Sequence, residues 1–261
     1  MRLFVSSPLL PLMLLGLGLA GHPTAQAENV YLLSLAGGVT PRYEGSRDYQ
    51  PVVLPVIAAE FDNGVFLNPL EGLGYRTQFS HGVFASVALG YDDGRSDEDR
   101  YLLPGSDHLK GMGDVPGSTL VLLQIGVRLP GDLSLSATLD QPITETGRGW
   151  GGRVDLAGPV WSKPSNQISL TGSVHAGSDR YAQTFFGVTD RQAANSRFDA
   201  YTPRGGVDSL RLTIDWTHVF TPHWMVKTTG GVSRLVGDAA DSPIVQSKEN
   251  YLAMTALVYR F

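Results

Sequence analysis

Cysteine is absent from all 261 residues. That excludes a disulfide framework, a thiolate nucleophile and a sulfur-ligated metal. Beyond the first residues, no apolar run reaches the roughly 18–20 residues that a membrane helix needs. Passage through a bilayer would therefore fall to strands closed into a barrel, the other fold that satisfies its backbone in lipid. Charge of one sign is not concentrated: the net charge is −5, dispersed and without a basic run, which speaks against nucleic acid as a partner. Apolar patterns of helical period are scarce. Glycine is plentiful, with 31 residues and no fixed period, as expected of an all-β chain with many turns.

The first residues read as an address. Met1-Arg2 is a short positive region, Leu9 to Ala20 an apolar run and Ala25-Gln26-Ala27 a small-x-small cleavage site. This predicts a secretory signal peptide over 1–27, cleaved to leave one domain over 28–261. An exported bacterial protein that is stable without disulfides fits the lack of cysteine.

The last eleven residues set the problem for the rest of the chain. Phe261, Tyr259, Leu257, Thr255, Ala253 and Tyr251 alternate along one face of a predicted strand, because strand side chains repeat every second residue. Left as an exposed edge, such a strand recruits other chains, and closing a barrel removes the edge. Strands with similar alternation are predicted at about 29–39, 50–61, 65–68, 73–79, 83–92, 118–129, 133–140, 151–161, 168–176, 210–217, 224–235 and 251–261. The expectation is an antiparallel transmembrane β-barrel of about twelve strands. Short connections near Asp62, Ser80, Pro130, Lys163 and Thr221 interleave with longer ones near Thr40, Asp93, Ile143, Asp179 and Val236, with only the Pro69 bend out of pattern. Short periplasmic turns and longer extracellular loops are the asymmetry of outer-membrane barrels. Asp62-Asn63-Gly64 has the composition of a type I′ hairpin turn. The segment Gln50 to Phe61 resists the scheme, being apolar on both faces and carrying Pro51 and Pro55.

Aromatic residues cluster at both ends of these strands. Phe61, Phe66, Phe79, Phe84, Trp161, Phe220, Trp224, Tyr259 and Phe261 lie near the short-turn end, and Tyr43, Tyr91, Tyr181, Tyr201 and Tyr251 near the loop end. Two interfacial girdles are the expectation. A soluble β-sandwich would alternate likewise, but it needs neither girdles nor two classes of connection. With apolar faces turned to lipid, the lumen would receive Arg128, Asp140, Arg153, Asp155, Arg211, Asp215, Lys227 and Arg260. Such charges can form a hydrogen-bonded network that plugs the interior, or line a narrow conduit for small polar solutes. The inner face of the last strand, Leu252, Met254, Ala256 and Val258, is apolar and calls for an inner apolar cluster, from the Gln50 strand or an inward-folded loop.

Sites of chemistry are weak. Asp92, Asp93, Asp97, Glu98, Asp99, Asp107 and His108 share one loop, but their spacing matches no EF-hand or zinc pattern, and a surface acid/base pair there competes with a plain solvated face. Asp238 and Asp241 have the same standing. Ser173, His175 and Asp155 could be imagined as a hydrolase triad, although alternate lumen hydroxyls are ordinary in a barrel. His218 and His223 bracket the Phe220 turn, and Gly147 to Gly152 opens no helix, so it is no phosphate loop. No catalytic, metal or cofactor residue is assigned.

Several stretches carry a resemblance: Tyr43-Glu44-Gly45-Ser46, Leu109-Lys110-Gly111-Met112-Gly113-Asp114, Tyr181 to Thr189 followed by Tyr201, the run Leu235 to Val245 containing Gly-Asp-Ala-Ala-Asp-Ser-Pro-Ile-Val, and the terminal Tyr259-Arg260-Phe261. Together they resemble the MipA/OmpV family (MltA-interacting protein) over the whole mature chain. The resemblance implies an outer-membrane barrel in the lipid bilayer, without enzymatic activity or cofactor. It also implies a scaffold that brings a murein lytic transglycosylase together with a murein synthase in peptidoglycan biosynthesis. On the residues alone, a narrow channel for small polar solutes is the alternative.

Overall fold

The computed structural model describes residues 29–261; the expected signal peptide lies outside the described residues. Twelve strands form one closed antiparallel barrel in chain order. They are β1 (Val30–Pro41), β2 (Tyr49–Glu60), β3 (Val65–Asn68), β4 (Gly72–Gln78), β5 (Val83–Asp92), β6 (Ser118–Leu129), β7 (Leu133–Pro142), β8 (Gly151–Lys163), β9 (Asn166–Gly177), β10 (Gly206–Val219), β11 (Trp224–Leu235) and β12 (Glu249–Arg260). The last strand closes the wall by pairing with both β11 and the first strand, from Leu32 opposite Arg260 to Val39 opposite Ala253. The Phe261 N–H adds a bond to the Tyr31 carbonyl at 3.2 Å.

Alternation decides which side chains meet lipid. In β1, Leu35 is 60% exposed and its neighbour Ala36 only 1%. Leu123, Ile125, Leu212, Ile214 and Leu257 likewise lie on the exposed face. Exposed apolar residues on this scale belong in a bilayer rather than in water. Inside, Leu252, Met254, Ala256 and Val258 of β12 are buried. The last three join Leu32 and Ala36 of β1, Met225 of β11 and Val52, Leu54, Val56 and Ala58 of β2 in one apolar cluster, with Leu70 and Leu102 packed against it. Leu70 comes from the β3–β4 bend and Leu102 from the loop after β5, so both expected sources contribute.

The girdles are present but differently populated. Phe79, Trp161, Phe220, Trp224 and Phe261 are exposed at the short-turn end, and Tyr91 and Tyr251 at the loop end. Phe66 is buried with Ala88 and Leu122 inside the barrel, while Phe84 lies on the inward register of Ala88 and is half-buried. Tyr43 and Tyr181 are buried within the loops, because those loops have apolar cores of their own. The 62–64 turn also differs from expectation. Only Gly64 has positive φ, +90°, and the Phe61 N–H bonds to the Val65 carbonyl at 2.9 Å. This is the three-residue hairpin with a glycine bulge rather than type I′.

Leu54 tests the inner cluster. Leu54→Ala should destabilise the barrel by about 2–3 kcal/mol, measured by urea unfolding in vesicles, whereas Val53→Ala on the lipid face should cost less.

Candidate functional site

The polar interior is built by β7 to β11, opposite the apolar cluster. Arg153 Nε donates to Asp155 Oδ2 at 3.0 Å, and Ser173 Oγ to Asp155 Oδ1 at 2.6 Å. Lys227 Nζ lies 3.2 Å from Asp215 Oδ1, which also accepts from Thr229 Oγ1 at 2.6 Å. The structure thus brings four of the eight sequence-derived lumen charges together in two ion pairs. Arg211 lies 4.0 Å from a partner off the strands, Glu44. Asp140 is half-buried, and its Oδ1 has no hydrogen-bond partner. Arg128 is exposed and Arg260 half-buried towards the short-turn rim.

Ser173 and His175 do not form a triad. The serine hydroxyl donates directly to the carboxylate, while His175 Nδ1 sits 2.7 and 2.9 Å from the two oxygens of Asp208. A triad needs the imidazole between acid and hydroxyl. His218 contacts Asn166, and His223 contacts the Arg260 carbonyl, each at 2.9 Å. Three of the loop carboxylates hold the loop through backbone amides. Asp97 Oδ2 accepts from the Gly111 and Gly113 amides at 3.0 and 2.9 Å, and Asp99 and Asp107 each accept from the other's amide at 3.0 Å. His108 stacks on Tyr43 and contacts Gln246 and Arg197. Asp238 pairs with Arg204, and Asp241 with Lys248. Among the described residues, no group of three or more His, Cys, Asp and Glu could hold a metal ion.

Above the lumen the loops fold over the barrel mouth. One apolar cluster joins Tyr43, Leu109, Met112, Val188, Phe198 and Ile244, residues from four different loops. A second joins Tyr181, Phe185 and Phe186 to Leu235, Ala239 and Ala240. Two short helices occur where an irregular loop was expected, α1 (Asp179–Phe186) and α2 (Asp190–Asn195). Tyr181 with Phe185 and Ala182 with Phe186 place apolar residues four apart, a helical spacing. Ser178 caps the first helix, and Thr189 and Gln192 form a capping box on the second.

The electrostatics of this cap rest on residues that strand periodicity does not single out. Arg148 is buried between the loops, paired with Asp92, donating to the Pro116 carbonyl at 3.0 Å and lying 5.0 Å from the Phe185 ring centre. Arg95 is 7% exposed and donates to the Phe185 carbonyl at 2.7 Å. Burial pulls its pKa down to about 10. Burial likewise raises Glu44 and Tyr43, whereas the Asp97 amide, the Ser96 hydroxyl and Arg100 hold Asp114 low.

A closed antiparallel sheet with an apolar exterior, its interior filled by an apolar cluster on one side and ion pairs on the other, defines an outer-membrane β-barrel. Residues 33–261 match the family model described as MltA-interacting protein MipA. The chain belongs to this MipA/OmpV family. Outer membrane protein OmpV of Vibrio cholerae and Omp26La of Vibrio anguillarum are each 26% identical over 156 residues, 60% of this chain and 59% of the relative. The chain therefore spans less than two thirds of these curated relatives. Among solved structures, an outer membrane channel from Pseudomonas putida F1 aligns over 91% of this chain and 97% of its own, with a TM-score of 0.45 and 11% identity. A loop-deletion mutant of OmpT from Vibrio cholerae aligns over 91% and 100%, with a TM-score of 0.38 and 5% identity.

Two measurements test the cap. Arg148→Met leaves Asp92 buried and unpaired and should cost about 3–5 kcal/mol, while Asp92→Asn with Arg148→Met should regain part of it in the same unfolding assay. Asp114 has a depressed pKa, so its contribution is complete above the ordinary carboxylate value and is lost as pH falls through the folded one. Hydrogen exchange of residues 95–115 should rise below the ordinary value of 3.8, and Asp114→Asn should remove that pH response.

Proposed function

We propose that this barrel is a non-enzymatic scaffold. Exported after loss of residues 1–27, it holds a murein lytic transglycosylase and a murein synthase at its periplasmic rim. The observation that carries the reading is the occupied interior. The cluster around Leu54, Met254 and Ala256 packs one wall with apolar side chains, and the lumen charges Asp155 and Asp215 are taken up by Arg153 and Lys227. Charges satisfied by each other are poorly placed to replace the hydration of a passing solute. That speaks for an anchor over the narrow solute channel, the alternative reading. The family description, an MltA-interacting protein, supplies the class of partner. The surface available for docking is the rim of short turns around Gly64, Gly131, Ser165 and Pro222, with exposed Arg128.

Immobilised barrel, solubilised in non-ionic detergent, should retain a purified murein lytic transglycosylase and a murein synthase, and planar bilayers containing it should show no steady conductance. Failure to retain either enzyme removes the scaffold, and a steady conductance restores the channel.

A further inference from the structure

The loop-side half of the barrel has an opening in its strand ladder, crossed by the loop after β5, and above it a cationic pocket. The wall is interrupted because β3 and β4 span only 4 and 7 residues, against 12 in β2 and 10 in β5. Among the described residues, β2 pairs with β3 only through Ala59 and Glu60, and β5 pairs with β4 only as far as Leu89. Beyond the β3–β4 bend, β2 and β5 are separated by two absent strands, about 14 Å at the usual strand spacing. Lying on the loop side, the opening faces the outer leaflet. Behind it stand Val52, Leu54 and Val56, with Leu70 and Leu102.

The pocket is a cleft open to solvent between the β1–β2 loop, the loop after β5, α1 and the outer ends of β10 to β12. Three guanidinium groups line it: Arg42, Arg95 and Arg211. Arg42 is 3.2 Å from Asp99, but its buried Nη1 has no hydrogen-bond partner, and neither has Arg211 Nε. Arg95 has no carboxylate within ion-pair range among the described residues. Glu44, whose Oε1 is 4.0 Å from Arg211, is the one carboxylate in the lining. Burial raises its pKa, which weakens it as a counter-ion. Pro41, Pro104, Phe185 and Phe186 make much of the remaining wall apolar. The loop after β5 runs from the pocket to the opening: Pro104 lines the first, the Leu103 carbonyl accepts from Gln50 Nε2 at 3.3 Å, and Leu102 packs into the cluster behind the second.

We propose that the pocket binds the carboxylate of a single-chain amphiphile, a fatty-acid-like molecule entering from the outer leaflet between β2 and β5. Its head lies among Arg42, Arg95 and Arg211, and its chain along Leu54, Leu70 and Leu102. Guanidinium forks match a carboxylate in two-point contact. A mostly apolar cavity with a few convergent polar groups is the usual form of a small-molecule site.

The test uses the whole barrel in nanodiscs of zwitterionic lipid, titrated with 11-(dansylamino)undecanoic acid and read by dansyl fluorescence. Saturable binding at one site is expected, displaced by dodecanoate but not by dodecanol or acetate. Arg95→Gln and Arg211→Gln together should weaken it about tenfold or more, a loss of at least one strong hydrogen-bonded contact. Retained heat-modifiable gel mobility establishes that the variant is folded. No saturable binding, displacement by dodecanol or acetate as strong as by dodecanoate, or unchanged affinity in the folded double variant would overturn the proposal. If the variant does not fold, the displacement series on the natural sequence decides it.

Discussion

Everything in this molecule depends on one constraint: in hydrocarbon, a backbone N–H or C=O finds no water. The pairing of β12 with β1 meets it for the first and last strands, joining the two ends of a twelve-strand sheet into a closed wall. Once the wall is closed, strand alternation leaves no choice of direction. Every second side chain must face lipid and the others one another. Leu257 and Tyr251 are therefore exposed while Met254 and Ala256, between them, are buried.

Closure creates a second problem, the filling of the interior, and the chain meets it in two ways around the circumference. Where β12, β1 and β2 adjoin, inward residues are apolar and pack as a soluble core would. Across the lumen, inward residues are polar and neutralise one another, as Arg153 and Ser173 do for Asp155. Neither half suits the other, since a lone carboxylate in the first would be costly and an apolar run in the second would leave its ions unpartnered. The loops then form a third compartment outside the bilayer. It has its own apolar clusters and the buried Arg148–Asp92 pair tying three loops to the barrel mouth.

Much of the wall was legible in the sequence because a strand repeats every two residues and a barrel admits only two kinds of connection. The inner cluster was legible for the same reason: Leu252, Met254, Ala256 and Val258 could not all face a polar lumen. The interior ion pairs were legible only as a set of candidate charges, since which strand neighbours meet depends on register. Phe66 and Phe84 were misplaced because nearness to a turn gives the height of a side chain, and parity gives its direction. The loop cap was least legible. Glu44, Arg95, Arg148 and Asp208 lie in loops or at strand ends, where no period marks a buried charge. The spacing of Tyr181, Ala182, Phe185 and Phe186 was the one available signal of α1.

The segment that fitted the scheme least, Gln50 to Phe61, is explained by the wall itself. Proline has no N–H for a ladder and is confined to strand edges, so Pro51 and Pro55 are at odds with a strand paired on both sides. In the structure β2 is paired to β1 along its whole length and to β3 only at Ala59 and Glu60. Its outer part is an edge, and the prolines reduce the donors that edge would otherwise present to lipid. The same edge explains the apolar composition of both faces. Outward, Val53 and Ile57 meet the bilayer; inward, Val52, Leu54 and Val56 meet Leu70 and Leu102. A strand bordering an opening at membrane depth has an apolar environment on either side, and its sequence carries no polar face.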